Sequence, residues 1–549
     1  MGSVEDASPA GDTAAEVAAA DNGGGKRTLA QQLVSRALGR VYATMGPVED
    51  ASPAGDTAAE VAAADNGGGK RTSAQQLVSL AKCSHVQTQP DSSGGLGLFA
   101  AEPLRAGAEV LRCPLALALR AADAFADVRL GQPLEELRRR FRKQLDNDSH
   151  IPLLLLLMLH RALGSGSPHA AYVSSLPGEE LVRSIPVFWS EEEQTERLKG
   201  TPLLSECCAC ASELRCLHSG LIAELGRSGE WPDGAFSWEA LCWAHSVYWS
   251  RALVIDIAGK REACLLPLAD MANHRPGSTA EILVEGGCYV LKLGGALEKG
   301  AEVCINYGAK GNGELLRCHG FVLPQNPAEV SAIDLRTISQ ECKRFDGGVI
   351  FDGRSLSEAE IQMRVGRMAT EGGIKPRYFL HRGGLPPGLL KAAALLVVSS
   401  QEDVEALLTS SSEGIGNWRN CLGFLNGDTD EFADVWMLEE LSPLPMQIRL
   451  NVLHVLKELL RTKLEAMLCA PKLESLLLPI EHRARLEGPG ARLLPEGAFG
   501  SKAYCEAAAS CYRAGQRELL MEIINLVDFK GHDEYYSMRI KDARRFYNP

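Results

Sequence analysis

The sequence has no apolar run long enough to cross a bilayer. The longest, Ile151–Leu159, is about half of the roughly 20 residues that a spanning helix needs. It also has no excess of positive charge. Lys and Arg number 57 against 70 Asp and Glu, a formal charge of −13. That excludes a grip on nucleic acid over the whole surface. Aromatic residues are few at 6%, yet hydrophobic residues reach 45% and charged residues 23%. Collagen-like, coiled-coil and wholly disordered chains are thereby ruled out. No secretory signal precedes the sixteen scattered cysteines, so reduced thiols are expected rather than a disulfide framework. At about 150 residues per domain, the 549 residues make three to four domain-sized units.

The first 76 residues hold a letter-for-letter repeat: the string Val4–Thr28 recurs as Val48–Thr72. Repeat architectures diverge in sequence because only their core positions are constrained, so the copy points to a recent duplication or a gene-model error, with Met45 as an alternative start. The segment is rich in Ala, Gly and Asp and poor in large apolar residues. It cannot offset its ordering entropy, and disorder is expected over 1–76. Asp6 stands where a myristoylation signal wants Ser or Thr. The acidic residues argue against a transit peptide, although Arg27, Arg36 and Arg40 leave the chloroplast open beside the cytoplasm and nucleus.

Ordered sequence is expected from Leu77. Short strands follow in GGLGLFA (94–100) and AGAEVLRCPLALAL (106–119), then a helical stretch over about 121–235. Strands return between Ala252 and Ile305, including a hairpin ILVEGGCYVLKL that turns at Gly286-Gly287. Beyond Asn326 the pattern is helical. Ile448, Val452, Leu456, Leu459, Leu460 and Leu464 recur at three- and four-residue spacing after Pro443 and Pro445.

Two strings carry candidate chemistry. LLPLADMANH puts Asp270, Asn273 and His274 just after an apparent buried strand; read on its own, it is equally a turn whose Asp and Asn cap their own backbone. His274 has no HxxxH or HxH partner nearby, so a metal site is not expected. LEKGAEVCINYGAKGNGELLRCHGF delivers Tyr307 at the end of a strand, beside glycines that permit close backbone approach. The cysteines of CCACASELRC (Cys207, Cys208, Cys210, Cys216) read as a thiol-rich helix, and Arg138–Arg140 as a solvated helix face.

Taken in order, GGLGLFAAEPLRAGAEVLRCP, FSWEALCWAHSVYWSRALVI, LLPLADMANH and GAEVCINYGAKGNGELLRCHGF resemble the motifs of SET-domain protein methyltransferases of the Rubisco large-subunit methyltransferase type. The resemblance covers about 85–325 and, more loosely, extends to about 528. It implies an α+β fold: a SET-domain β-fold with a pseudoknot over 77–325, split by a helical insert (about 121–235). An all-α substrate-binding domain would follow over 326–530, then a tail over 531–549. It implies S-adenosylmethionine as cofactor, lined by Glu109, Val110, Leu111, Arg251, Asn273 and His274, with Asp270 supporting the turn. Tyr307 would be the active-site phenol, and Leu253, Ala269, His319 and Phe321 would line the substrate channel. The implied partner is a protein substrate docked on the helical domain of a monomer, with no nucleic acid and no membrane.

The chemistry suits these residue types. In-line transfer of a methyl from a sulfonium needs alignment and a polar cage more than a strong acid or base. Backbone carbonyls and a phenol can hold the polarised methyl by C–H···O contacts. A lysine nucleophile must first lose a proton, at about 4–5 kcal/mol near neutrality unless its site is desolvated. Three departures bear on the substrate. His319-Gly320-Phe321 stands where the family often has Tyr-Gly-Phe, and Leu253 where plant-type lysine enzymes tend to carry an aromatic. The actin-histidine methyltransferase branch carries Asn at the Leu253 position and Trp at the Ala269 position, and this chain has neither. Lysine is therefore the expected target. Histidine methylation and an inactive SET-like interaction module are the alternatives.

Overall fold

The computed structural model describes residues 85–334 apart from 91–95 and 146–149. In the C-terminal part it describes chiefly 377–409, 446–468 and 498–547. The repeat therefore lies outside the described residues, as do Pro443 and Pro445.

The strands expected before residue 120 form β1 (Val86–Pro90), β2 (Leu96–Ala100) and β3 (Glu109–Pro114). After the insert come β4 (Leu253–Ile257), β5 (Lys260–Cys264), β6 (Asn273–His274), β7 (Glu281–Glu285), β8 (Cys288–Lys292) and β9 (Glu302–Ile305). They make small sheets ordered β1-β2-β9-β6, β3-β8-β7 and β4-β5. The β7–β8 hairpin turns where the sequence says. Gly286 and Gly287 both take positive φ, 58° and 73°, as a two-residue turn that follows the strand twist requires.

The first sheet brings the two candidate strings together. β9 lies between β2, antiparallel to it, and β6, parallel to it, with Asn273 opposite Cys304 and His274 opposite Ile305. Segments far apart in sequence thus interleave at one sheet, as the pseudoknot expectation requires.

Between β3 and β4 the chain is helical. Its most apolar helix, α1 (His150–Leu163), is buried from Ile151 to His160, so IPLLLLLML is a core helix. No helix among the described residues is long and apolar enough to cross a membrane. The insert continues through α2 (Ala170–Val173) and α3 (Pro202–Leu217), and α4 (Trp238–Arg251) follows it. α3 carries the four clustered cysteines; Cys207 is buried, whereas Cys208 and Cys216 are exposed. No disulfide forms among the described cysteines.

After β9 come α5 (Asn312–His319), then α6 (Leu389–Val397), α7 (Met446–Leu468) and α8 (Lys502–Tyr547). In α7 the described part of the expected stripe is in place: Val452, Leu456, Leu459 and Leu460 are buried and Leu464 packs against them, while the Ile448 side chain lies outside the described residues. The described C-terminal part is not purely helical. β10 (Val330–Asp334) and β11 (Arg377–His381) form an antiparallel ladder that the helical pattern did not announce. Among the described residues a small cluster of Leu315, Phe321 and Leu323 packs beside Tyr307, and α8 spans the two larger hydrophobic cores. Tyr504, Cys505, Ala508, Ala509 and Tyr512 pack in the core of the strands and insert. Leu519, Leu520, Ile523, Ile524 and Val527 pack in the C-terminal core.

Candidate functional site

The segment 267–274 is the floor of the site, and side chains from four elements pin it. Leu268 takes a positive φ of 70°, an uncommon conformation for a side-chain-bearing residue. The neighbouring carbonyls are held in compensation. Tyr289 Oη of β8 donates to Pro267 O at 2.8 Å. Arg251 Nη1, at the end of α4, donates to Asp270 O at 2.9 Å. Tyr307 Oη, just beyond β9, donates to Ala272 O at 2.9 Å. From the insert, Tyr172 Oη donates to Asp270 Oδ2 at 2.5 Å.

Tyr307 stands in a stack of rings. His274 lies 5.1 Å from it on one contact and His319 5.0 Å on another, each tilted by only 28°. Phe321 closes the group, 6.3 Å from His274 and 5.9 Å from His319. The Tyr307 backbone N–H donates to His274 Nδ1 at 3.1 Å. That bond makes Nδ1 the acceptor and leaves the proton of the neutral ring on Nε2. Four residues picked from the sequence (His274, Tyr307, His319, Phe321) thus form one wall.

Asn273 is oriented by a residue that sequence reasoning missed. Its Nδ2 donates to Glu302 Oε1 at 2.7 Å, and Glu302 also faces Arg275 at 3.9 Å. Gly97 of β2 lies against the same pair. A Cβ there would sit 2.9 Å from Glu302 Oε1 and 3.0 Å from Asn273 Nδ2, so a larger residue would make the Glu302–Asn273 pair shift. The GGLGLFA string held the signal for Gly97. Only the register of β2 against β9 reveals Glu302.

Asp270 is buried, and its Oδ1 has no hydrogen-bond partner among the described residues. Burial pushes its carboxyl up to about 6, against the pull of the Arg251 cation and the Tyr172 bond. Burial, followed by the Asp270 charge, also raises the Tyr172 phenol well above its ordinary value.

The remaining sequence candidates stand apart from the ring stack. Glu109, Val110 and Leu111 belong to β3, in the separate β3-β8-β7 sheet, with a register shift at Val110. Val110 and Leu111 are core residues. Glu109 is exposed and paired with Arg112, which holds its carboxyl below the usual value. Leu253 opens β4 opposite Cys264. Ala269 is fully buried in the short helical turn Ala269–Met271. Among the described residues, no group of three or more His, Cys, Asp or Glu is placed to hold a metal ion.

With its split small sheets and parallel β6–β9 pairing, the chain is similar in fold to solved SET domains of the Rubisco large-subunit methyltransferase type. The SET domain of LSMT bound to lysine and AdoHcy matches at a TM-score of 0.57 and 19% identity, over 86% of this chain and 94% of that one. Rubisco LSMT bound to AdoMet matches at 0.57 and 18%, over 86% and 96%. Among curated proteins, the N-lysine methyltransferase setd6 of Xenopus laevis is 28% identical over 229 residues, covering 38% of this chain and 48% of that protein. SETD6 of Homo sapiens is 26% identical over 260 residues, 45% of this chain and 52% of that protein. Ribosomal lysine N-methyltransferase 1 of Saccharomyces cerevisiae is 32% identical over 119 residues, 21% and 20%. The chain spans about half the length, or less, of these curated relatives. No family model matches the chain.

Proposed function

We propose that the chain is an S-adenosylmethionine-dependent protein-lysine N-methyltransferase. The observation that carries this reading is Tyr307, held between His274 and His319 with its hydroxyl on the Ala272 carbonyl. A phenol used only for packing needs no such array of oriented polar groups around it. The curated relatives are named as lysine methyltransferases, and Leu253 and Ala269 offer no polar group of the kind the histidine branch carries at those positions.

The residues present fit the cofactor. Gly97 keeps clear the space beside the Asn273 amide that a Cβ would fill, and the donor set combines an amide, an imidazole, a guanidinium and backbone carbonyls. Asn273, His274 and Arg251 would hold the cofactor, with Glu109–Leu111 as the β3 contribution. When bound, S-adenosylmethionine supplies an electrophilic methyl on a positively charged sulfur. The protein's part is alignment. Glu302 fixes the Asn273 amide, the Tyr307 N–H fixes the His274 ring, and Tyr307 Oη stays directed at the 270–272 carbonyl edge. Desolvation of an amine among these buried and half-buried rings lowers the cost of presenting it neutral. His319 and Phe321 form the channel wall on this reading, and the C-terminal part from about 326 to 530 docks the substrate protein. The enzyme acts as a monomer, in the cytoplasm or nucleus.

Calorimetric titration with S-adenosylmethionine tests the reading. Wild-type protein should bind, and Asn273→Ala should weaken binding roughly ten- to a hundredfold, the equivalent of about 1–3 kcal/mol for polar groups left unpaired. Absence of binding by wild-type protein would overturn it.

A further inference from the structure

The helical insert has so far served only to separate the two halves of the strand region. Yet it sends one buried phenol to the floor of the site. Tyr172 lies in α2, 98 residues from Asp270 along the chain, and its hydroxyl donates to Asp270 Oδ2 at 2.5 Å. Both side chains are buried. The carboxylate is otherwise poorly supplied. Its Oδ1 has no hydrogen-bond partner among the described residues. The nearest cation, Arg251, commits Nη1 to the Asp270 backbone carbonyl rather than to the carboxylate.

The electrostatic neighbours of Asp270 can be named element by element. α4 contributes Arg251 and α2 contributes Tyr172. β8 contributes Tyr289, whose hydroxyl is occupied by Pro267 O. β2 brings only Leu96–Ala100, without an ionisable group. Beside the Asp270 backbone N–H and the Arg251 charge, Tyr172 is the side-chain hydrogen-bond donor to this carboxylate, and a buried charge is sensitive to each donor that holds it.

We propose that Tyr172 is a positioning residue for the reaction. By fixing the Asp270 carboxylate, it holds the 267–274 segment on which Arg251, Asn273 and the Tyr307 hydroxyl all converge. The insert is then part of the active site and not a spacer. The link to turnover rests on the methyltransferase reading; the link to the Asp270 proton does not.

The sign of the effect follows from the bond. Donation from Tyr172 favours the ionised carboxylate. Its loss removes the side-chain donor and leaves the backbone N–H of Asp270 and the Arg251 charge, so protonation sets in at higher pH. A protonated Asp270 no longer attracts Arg251, and the carbonyl edge loosens below that pH.

Two readouts on the full chain test this. pH-difference infrared spectroscopy follows the carboxylic C=O band of Asp270, assigned by its loss in Asp270→Asn. The transition should centre near pH 6 in wild-type protein and move up by about one unit or more in Tyr172→Phe. Site-specific 3-fluorotyrosine at position 172, a stronger donor of nearly the same size, should move it down, and this variant carries the test if Tyr172→Phe fails to fold. The acid limb of kcat/KM for methyl transfer should move in the same direction in each protein. A C=O transition unmoved by the donor change overturns the proposal, as does a transition that moves while the acid limb stays fixed. If wild-type protein transfers no methyl at any pH, the functional reading fails and the positioning role falls with it, whereas the infrared shift still reports the Tyr172–Asp270 contact.

Discussion

Glu329 lies where the SET-domain side of the molecule meets the long helix α8, and it is wholly buried. Its Oε1 accepts from Gln516 Nε2 at 2.9 Å and from the Val330 backbone N–H at 3.3 Å. Its Oε2 and the Gln516 Oε1 both lack a partner among the described residues. Burial pushes the Glu329 carboxyl up to about 7 from an ordinary 4.5, despite the Gln516 bond that pulls the other way. Because the folded value is raised, the proton stabilises the fold. That stability is fully present below pH 4.5 and is lost as pH rises through 7. The rise from 4.5 to about 7 corresponds to about 3 kcal/mol. Glu329→Gln removes the charge, keeps an acceptor for Gln516 Nε2 and supplies a donor. At pH 8 it should therefore raise stability by about 1–3 kcal/mol, and at pH 5 by less than about 1 kcal/mol. Urea denaturation at the two pH values measures both. An equal shift at pH 5 and 8, or a loss at pH 8, would refute the reasoning.

Gly97→Ala puts a methyl 2.9 Å from Glu302 Oε1 and 3.0 Å from Asn273 Nδ2, so the amide must rotate or the β2–β9 pair must part. S-adenosylmethionine affinity should fall at least about tenfold, read by calorimetry, with far-UV circular dichroism retained. Tyr307→Phe should keep cofactor affinity within a few-fold and lower the single-turnover methyl-transfer rate by about two to three orders of magnitude; a rate within threefold of wild type would remove the phenol from the chemistry. Tyr289→Phe removes the donor from a buried carbonyl, Pro267 O, and should cost about 1–3 kcal/mol of stability by denaturant midpoint.

What the sequence disclosed and what it withheld divide along one physical line. Local strings announced local geometry. Gly286-Gly287 between alternating strands gave the hairpin, and the spacing from Val452 to Leu464 gave α7. The run ending at Ile305 gave a strand that delivers Tyr307. His274, Tyr307, His319 and Phe321 were implied by the resemblance of two motifs, which the parallel β6–β9 pairing brings together. Contacts that depend on folding partners left no local trace. Tyr172 sits in an ordinary helical turn, and only the packed insert shows that it reaches Asp270. Glu302 reads as a polar residue at the start of a strand until β6 pairs beside it. Glu329 and Gln516 are 187 residues apart and look like surface residues by type. The β10–β11 ladder escaped notice because two five-residue strands separated by a long stretch carry little periodicity. The long helix α8 likewise hides its double duty, since one continuous helical pattern serves two separate cores.

The central claim is that this site moves a methyl group onto lysine. Its most direct measurement is transfer from methyl-labelled S-adenosylmethionine into host-lysate protein, followed by mass spectrometry of the modified residue, with Tyr307→Phe run in parallel. The account predicts label on a lysine side-chain nitrogen with wild-type protein and its near absence with the variant. Label on histidine, or no label above the variant's level, would contradict it.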